Sequence, residues 1–164
     1  MIKIEYTSLK MAKSFGLAVK SVCKEEKFLS NSTGFLAKDT IAFVKSIIKN
    51  NQTQFYAIEN DKVIGWCDII PIGKEFHSHV GVLGLGIIKG FREKGIGMKL
   101  LKTAIKDARK KREIEKIELE VYESNKVAQR IYHKIGFETE GIKKKSKKHK
   151  DKYEDVIIMG LLLQ

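Results

Sequence analysis

The feature that most constrains this chain lies between residues 79 and 122. "HVGVLGLGII" reads as a strand, and "FREKGIGMKLL" follows it with Gly95 and Gly97 directly before a long helix. "KIELEVY" then returns as a second strand, with Ile117, Leu119 and Val121 alternating against Glu118 and Glu120. Leu101, Ala104, Ile105 and Ala108 recur at helical spacing and form an apolar stripe that seats the helix on a sheet. A strand, a glycine turn, an amphipathic helix and a strand make one crossover unit. Its loop opens at the carboxyl end of the first strand, where crossover folds bind ligands.

The rest of the chain supplies partners for that unit. "IKIEYT" is a short strand with Ile2 and Ile4 on one face. Leu9, Ala12, Phe15, Val19 and Val22 predict a helix from Leu9 to about Glu26. Lys38–Lys49 is expected as a second helix with Ile41, Val44 and Ile48 on its inner side. "TQFYAIE" and "KVIGWCDII" read as a hairpin around "NDK", ended by Pro71 and Gly73. The helix after Gly97 runs to about Arg112. Ser124 or Asn125 caps a further helix carrying Val127, Ala128, Ile131 and Ile135, and Gly136 sits where a helix C-terminal glycine belongs. "GFETEG" opens another strand and "DVIIMGLLL" closes the chain. Hairpins mixed with one crossover imply an α/β protein, with a partly antiparallel sheet and helices on both faces. With 164 residues and no linker or internal repeat, residues 1–164 are expected to form a single domain.

Charge and composition exclude several classes. No apolar run reaches the ~20 residues that a membrane-spanning helix needs, and "MIKIEYTSLK" carries no secretory signal pattern. Cys23 and Cys67 are far apart and fit reduced thiols, so a cytoplasmic protein is expected. Neither cysteine completes a metal site with His77, His79, His133 or His149, so no metal is expected. The net charge of +12 suits phosphates, nucleic acid or another acidic surface. Much of it lies in "GIKKKSKKHKDK", read as a solvated loop or edge hairpin, with a basic docking patch as the other reading.

The first turn of a helix holds backbone N–H groups without intrahelical partners, and with the helix dipole these suit an anion. Gly95 and Gly97 bring no side chains to keep a phosphate away, while Arg92, Lys94 and Lys99 add positive charge. A structural turn alone explains the glycines equally well. The loop lacks the Gly-x-x-x-x-Gly-Lys-Ser/Thr pattern of nucleotide hydrolases, which disfavours ATP.

Taken with the downstream order, the segment resembles the GCN5-related N-acetyltransferase (GNAT) family. "FREKGIGMKLL" is similar to its Arg/Gln-x-x-Gly-x-Gly/Ala acetyl-CoA signature. "SNKVAQRIYHKIGF" is similar to its second motif. The ending "GFETEGIKKKSKKHKDKYEDVIIMGLLL" looks like the branch that acetylates protein N-termini, amino acids or polyamines. The likeness runs over about residues 55–164. It implies a mixed, mostly antiparallel sheet with a splayed strand pair. It also implies direct transfer of an acetyl group from acetyl-CoA, as co-substrate, to a primary amine in a ternary complex.

Site roles carry over by position. Leu85, Gly86 and Ile87 correspond to the strand that pairs with the pantetheine arm, and Glu93, Lys94, Gly95, Ile96, Gly97 and Met98 to the pyrophosphate turn. Asn125 matches a position that contacts the cofactor, and it can serve as N-cap as well. Tyr132 matches the family's general acid, and its plain alternative is an aromatic that packs the helix. For the general base, Glu120 matches a position used in some N-terminal acetyltransferases, with a solvated strand glutamate as the alternative. His79 and a water chain are other candidates, and Asp68 could face the acceptor amine. Phe28, Phe35 and "SNSTGF" are expected to wall the acceptor pocket. A homodimer is expected from the family's habit, and a ribosomal acceptor would give the lysines a purpose. The competing functions are a basic nucleic-acid-binding module and a non-catalytic acyl-CoA sensor.

Overall fold

The computed structural model describes residues 1–111 and 113–163. Seven strands form one sheet: β1 Lys3–Tyr6, β2 Thr53–Glu59, β3 Lys62–Pro71, β4 Val80–Ile87, β5 Lys116–Tyr122, β6 Glu138–His149 and β7 Lys152–Leu162. Their order across the sheet is β1-β2-β3-β4-β5-β7-β6. The crossover pair β4–β5 is parallel, and the other neighbours are antiparallel. Among the described residues four α-helices cover the faces: α1 Ala12–Cys23, α2 Ala37–Lys49, α3 Ile96–Lys111 and α4 Lys126–Ile135.

Strand alternation divides the core in two. On one face Phe15, Val19 and Val22 of α1 and Val44 of α2 pack with Tyr56, Val63 and Trp66. On the other, Leu100, Leu101, Ala104, Ile105 and Ala108 of α3 pack with Cys67, Ile69, Ile117, Leu119 and Tyr132. The apolar stripe read for α3 is thus its buried face. The β2–β3 turn is Asn60-Asp61, both with φ near +50°, as a two-residue hairpin of matching twist requires. Asn125 caps α4 by accepting from the Ala128 N–H at 3.2 Å, and Gly136 ends it at φ +114°.

Two expectations need adjustment. The first helix begins as a 3-10 turn at Leu9–Met11, leaves Leu9 exposed and ends at Cys23. In α2 the inner face is Thr40, Val44 and Ile47, while Ile41 and Ile48 are exposed. Ile41 and Ile48 adjoin Val44 and Ile47 in one broad apolar arc, and the sheet takes the Val44–Ile47 part of it. The lysine-rich stretch takes the edge-hairpin form of its two readings: it builds most of β6, the edge strand paired with β7, with irregular register between Lys143 and Lys147. Arg112, the expected end of α3, lies outside the described residues.

Candidate active site

The site is built where β4 and β5 part. Their register runs only Val80↔Lys116, Gly81↔Ile117 and Val82↔Glu118. β4 continues beside β3 to Ile87, and β5 continues beside β7 to Tyr122. The two strands therefore open into a gap toward the carboxyl end of β4. In an antiparallel ladder, consecutive residues turn their N–H and C=O groups to opposite neighbours. The Ile72 N–H donates to Val80 O and the Ile88 N–H to Ile64 O, so even-numbered β4 residues face β3. Leu85 and Ile87 then face the gap. The same reasoning from the Leu163–Glu115 and Glu123–Asp155 bonds turns the Glu120 backbone toward it from β5. Gly86 spends its backbone on β3.

The glycines of "LGLG" have a second reason to be glycine. A methyl on Gly86 would overlap the Trp66 indole, and one on Gly84 would lie 2.7 Å from Asp68 Oδ1. The Asp68 carboxylate thus lies over β4, next to the gap, on the α1–α2 face. Burial pushes it up to about 7, against which a hydrogen bond from Gln54 Nε2 (3.4 Å) acts to lower it. Tyr132 approaches from the opposite face. It is buried in the α3–α4 cluster, 5.7 Å between ring centroids from Phe137. Burial, with the Cys67 thiol adding to it, raises the Tyr132 hydroxyl well above the ordinary phenol value, so it stays a neutral donor.

Above the gap stands the N-terminus of α3. Gly95 accepts the first helical bond, from the Lys99 N–H at 3.1 Å, and adopts φ +75° with open space around its α-carbon. Among the described residues the N–H groups of Gly95 through Met98 have no protein acceptor. Glu93, at φ +62°, helps turn the chain into the helix. Gly97 faces Ile87 and Leu85: a methyl there would lie 3.9 Å and 4.0 Å from their side chains. So the bare amides and the open strand edge belong to one surface. Lys94 sits over the Phe91 ring.

Other candidates lie elsewhere or are otherwise engaged. The Arg92 guanidinium grips Glu25 at 2.5 and 2.8 Å, Ile87 O at 2.9 Å and the Phe28 ring at 4.6 Å. It ties the end of α1 to the end of β4, and its hydrogen bond holds the Glu25 carboxyl below the usual range. Glu120 has its side chain half-exposed on the α1–α2 face, ion-paired with Lys143 of β6. His79 precedes β4 at the paired end, where its carbonyl accepts from Glu115 and Lys116. Phe35 is exposed. Three of the five lysines of β6 are met by the protein's own acids, Lys143 by Glu120 and, at 2.7 and 3.1 Å, Lys144 by Asp155 and Lys147 by Glu154, while Lys145 and Lys148 lie over the Tyr153 ring. Asp68 is marked only faintly by its own stretch of sequence. The cue was the pair of glycines at the β4 positions that face Asp68 and Trp66, which marks room reserved for those two side chains.

A mixed sheet whose one parallel pair splays beneath an amide-rich helix start is the architecture that the resemblance to the acetyltransferases implies. The chain belongs to the acetyltransferase family described as "Acetyltransferase (GNAT) family", whose model matches residues 22–137. Membership carries the reaction class: acetyl transfer from acetyl-CoA to an amine. L-amino acid N-acetyltransferase AaaT of Escherichia coli (strain K12) is 28% identical over 107 residues, 65% of this chain and 66% of that relative's length. Among solved structures, an acetyltransferase of the GNAT family from Streptococcus pneumoniae superposes with TM-score 0.92 at 26% identity, covering 100% of both chains. The YncA protein of Salmonella typhimurium, solved with its cofactor acetyl-CoA, superposes with TM-score 0.93 at 15% identity, covering 100% of this chain and 95% of its own. That last likeness concerns the fold alone.

Proposed function

We propose that this protein acetylates the α-amine of a free L-amino acid, with Asp68 as proton acceptor and Tyr132 as proton donor. The observation that carries it is the gap past Val82 and Glu118, bordered by Leu85 and topped by the partnerless amides of α3. The named relative's activity on L-amino acids supports the acceptor class.

These residues fit acetyl-CoA. The N–H groups of Gly95 to Met98 suit a pyrophosphate, and the Leu85 backbone with the Ile87 N–H offers an open strand edge to a pantetheine amide, the Ile87 carbonyl being held by Arg92. Arg92 acts here as a brace for the turn rather than as a free cation. Asn125 has its Oδ1 engaged by the Ala128 N–H, which leaves its amide nitrogen for a ligand. Bound acetyl-CoA supplies the activated thioester.

The chain's own groups then divide the proton work. An amino group arrives as ammonium and must lose a proton before it can attack. A carboxylate pushed up to about 7 can take that proton near neutral pH. Tyr132 donates to the departing sulfur from the other face, and one N–H at the β4 edge steadies the thioester oxygen. The C–N bond forms as the C–S bond breaks. As the amide forms the nitrogen sheds its second proton to solvent; Asp68 gives up the first there and Tyr132 takes one back, so one proton is released per turnover. Glu120 is a second candidate for the base, because its own backbone borders the gap; its tie to Lys143 argues against it.

The test is calorimetric titration with acetyl-CoA, then a free-thiol assay over a panel of L-amino acids, polyamines and peptides with free N-termini. Binding heat and thiol release with at least one L-amino acid are expected. No binding heat would overturn the cofactor reading, and release with peptides or polyamines alone would overturn the acceptor.

A further inference from the structure

A line of buried polar groups on the α1–α2 face ends at Asp68. The Thr7 hydroxyl donates to the Tyr56 hydroxyl at 2.6 Å, and the Tyr56 hydroxyl donates to Gln54 Oε1 at 3.0 Å. Gln54 Nε2 donates to Asp68 Oδ2 at 3.4 Å. Gln54 and Tyr56 have no exposed surface, and Thr7 is also buried. Register puts the line there: β2 pairs with β3 so that Gln54 opposes Asp68 and Tyr56 opposes Trp66. The Thr7 N–H also donates to Gln54 O at 3.1 Å, which anchors the far end.

Packing alone does not call for these residues. Buried polar groups are costly unless they bond to each other, and an apolar set would fill the same space without that demand. The bonds share one sense. Tyr56 receives from Thr7, so its own hydrogen goes to Gln54 Oε1. That fixes the amide with its NH2 toward the carboxylate. The flipped amide would set its oxygen against a carboxylate oxygen, with two acceptors facing.

We infer that Thr7, Tyr56 and Gln54 form a one-way donor line that holds the Asp68 carboxylate over Gly84 and sets its proton affinity, making Gln54 and Tyr56 positioning residues for acetyl transfer. The inference rests on Asp68 as the proton acceptor. The last bond is long, so it offsets only part of the effect of burial, and the carboxyl stays in the range useful to a base. Tyr56 from β2 and Cys67 from β3 are titratable neighbours whose own proton affinity the Asp68 charge raises. α1 turns the uncharged Phe15 onto Tyr56 and Trp66, α2 brings Val44, and β4 sets Gly84 against Asp68.

Two variants of the full chain test it, Gln54→Met and Tyr56→Phe. Each is followed by the pH dependence of kcat/KM and by the 13C carboxyl titration of Asp68, assigned against Asp68→Asn. Losing the donor leaves burial unopposed, so the Asp68 midpoint in Gln54→Met is expected to move to higher pH by about one unit. Tyr56→Phe frees the amide to turn and gives a smaller shift in the same direction. The acidic limb of kcat/KM follows the shift, kcat falls below neutral pH, and KM for acetyl-CoA stays constant. If Gln54→Met does not fold, Tyr56→Phe, which removes one oxygen, carries the test. An Asp68 midpoint that is unmoved or lowered in a folded variant overturns the donor line. Full turnover in Asp68→Asn instead overturns the role of Asp68, and the carboxyl titration still reports on the line itself.

Discussion

Replacing Gly97 by alanine separates what that glycine does for folding from what it does for binding. Gly97 lies in the first turn of α3 and its backbone is not left-handed. A methyl would meet Ile87 and Leu85 at 3.9 and 4.0 Å, which is ordinary contact with nothing displaced. Alanine in a helix is favoured over glycine by roughly 0.5–1 kcal/mol. For a domain of this size that raises Tm by about 1–4 °C. The methyl nevertheless points to the strand edge bordering the gap, where a pyrophosphate must reach the amides. Losing one hydrogen bond to a charged group costs about 1.5–3 kcal/mol, or roughly ten- to hundredfold in affinity. Gly95→Ala is the counterpart. It sits at φ +75° in open space, so alanine there costs about 1–2 kcal/mol in the backbone. Both variants should weaken acetyl-CoA binding while moving Tm in opposite directions, read by calorimetric titration and thermal melting. A Gly97→Ala protein with raised Tm and wild-type affinity would refute the amide cradle.

Tyr132→Phe keeps the ring packed on Phe137 and should lower kcat by about 10²–10⁴-fold with little change in KM for acetyl-CoA, read by initial rates. Gly86→Ala drives a methyl into the Trp66 indole and should cost about 1–3 kcal/mol in urea unfolding; stability equal to wild type would mean that the ring swings aside freely. Asp68 binds its proton more tightly folded, at about 7, than its ordinary 3.8. Between those values the folded chain holds the extra proton, so this contribution is fully present below pH ~4, declines as pH rises toward 7 and is gone above it. Asp68→Asn should remove that slope and melt higher than wild type at pH 8.

Local pattern was enough for much of the architecture. The α3 stripe, the Asn125 cap, the Gly136 terminus and the alternation of β5 are short-range features whose physics is complete within a turn or a strand pair. Where the apolar arc of a helix is broad, as in α2 with Ile41 and Ile48 only about a quarter turn from Val44 and Ile47, the pattern names a helix but not which part of the arc is innermost.

The glycine turn before α3 and the order of strands around it were fixed by the sequence itself, because helix starts and crossovers depend on neighbouring residues. The chemistry of the gap was decided by tertiary structure. Asp68 reads as one more strand aspartate until β2 and β4 bring Gln54 and Gly84 against it from 14 and 16 positions away. Arg92 reads as a phosphate ligand until α1 delivers Glu25 to it. A side chain's proton affinity and its free valences depend on whatever surrounds it, and those surroundings come from distant parts of the chain.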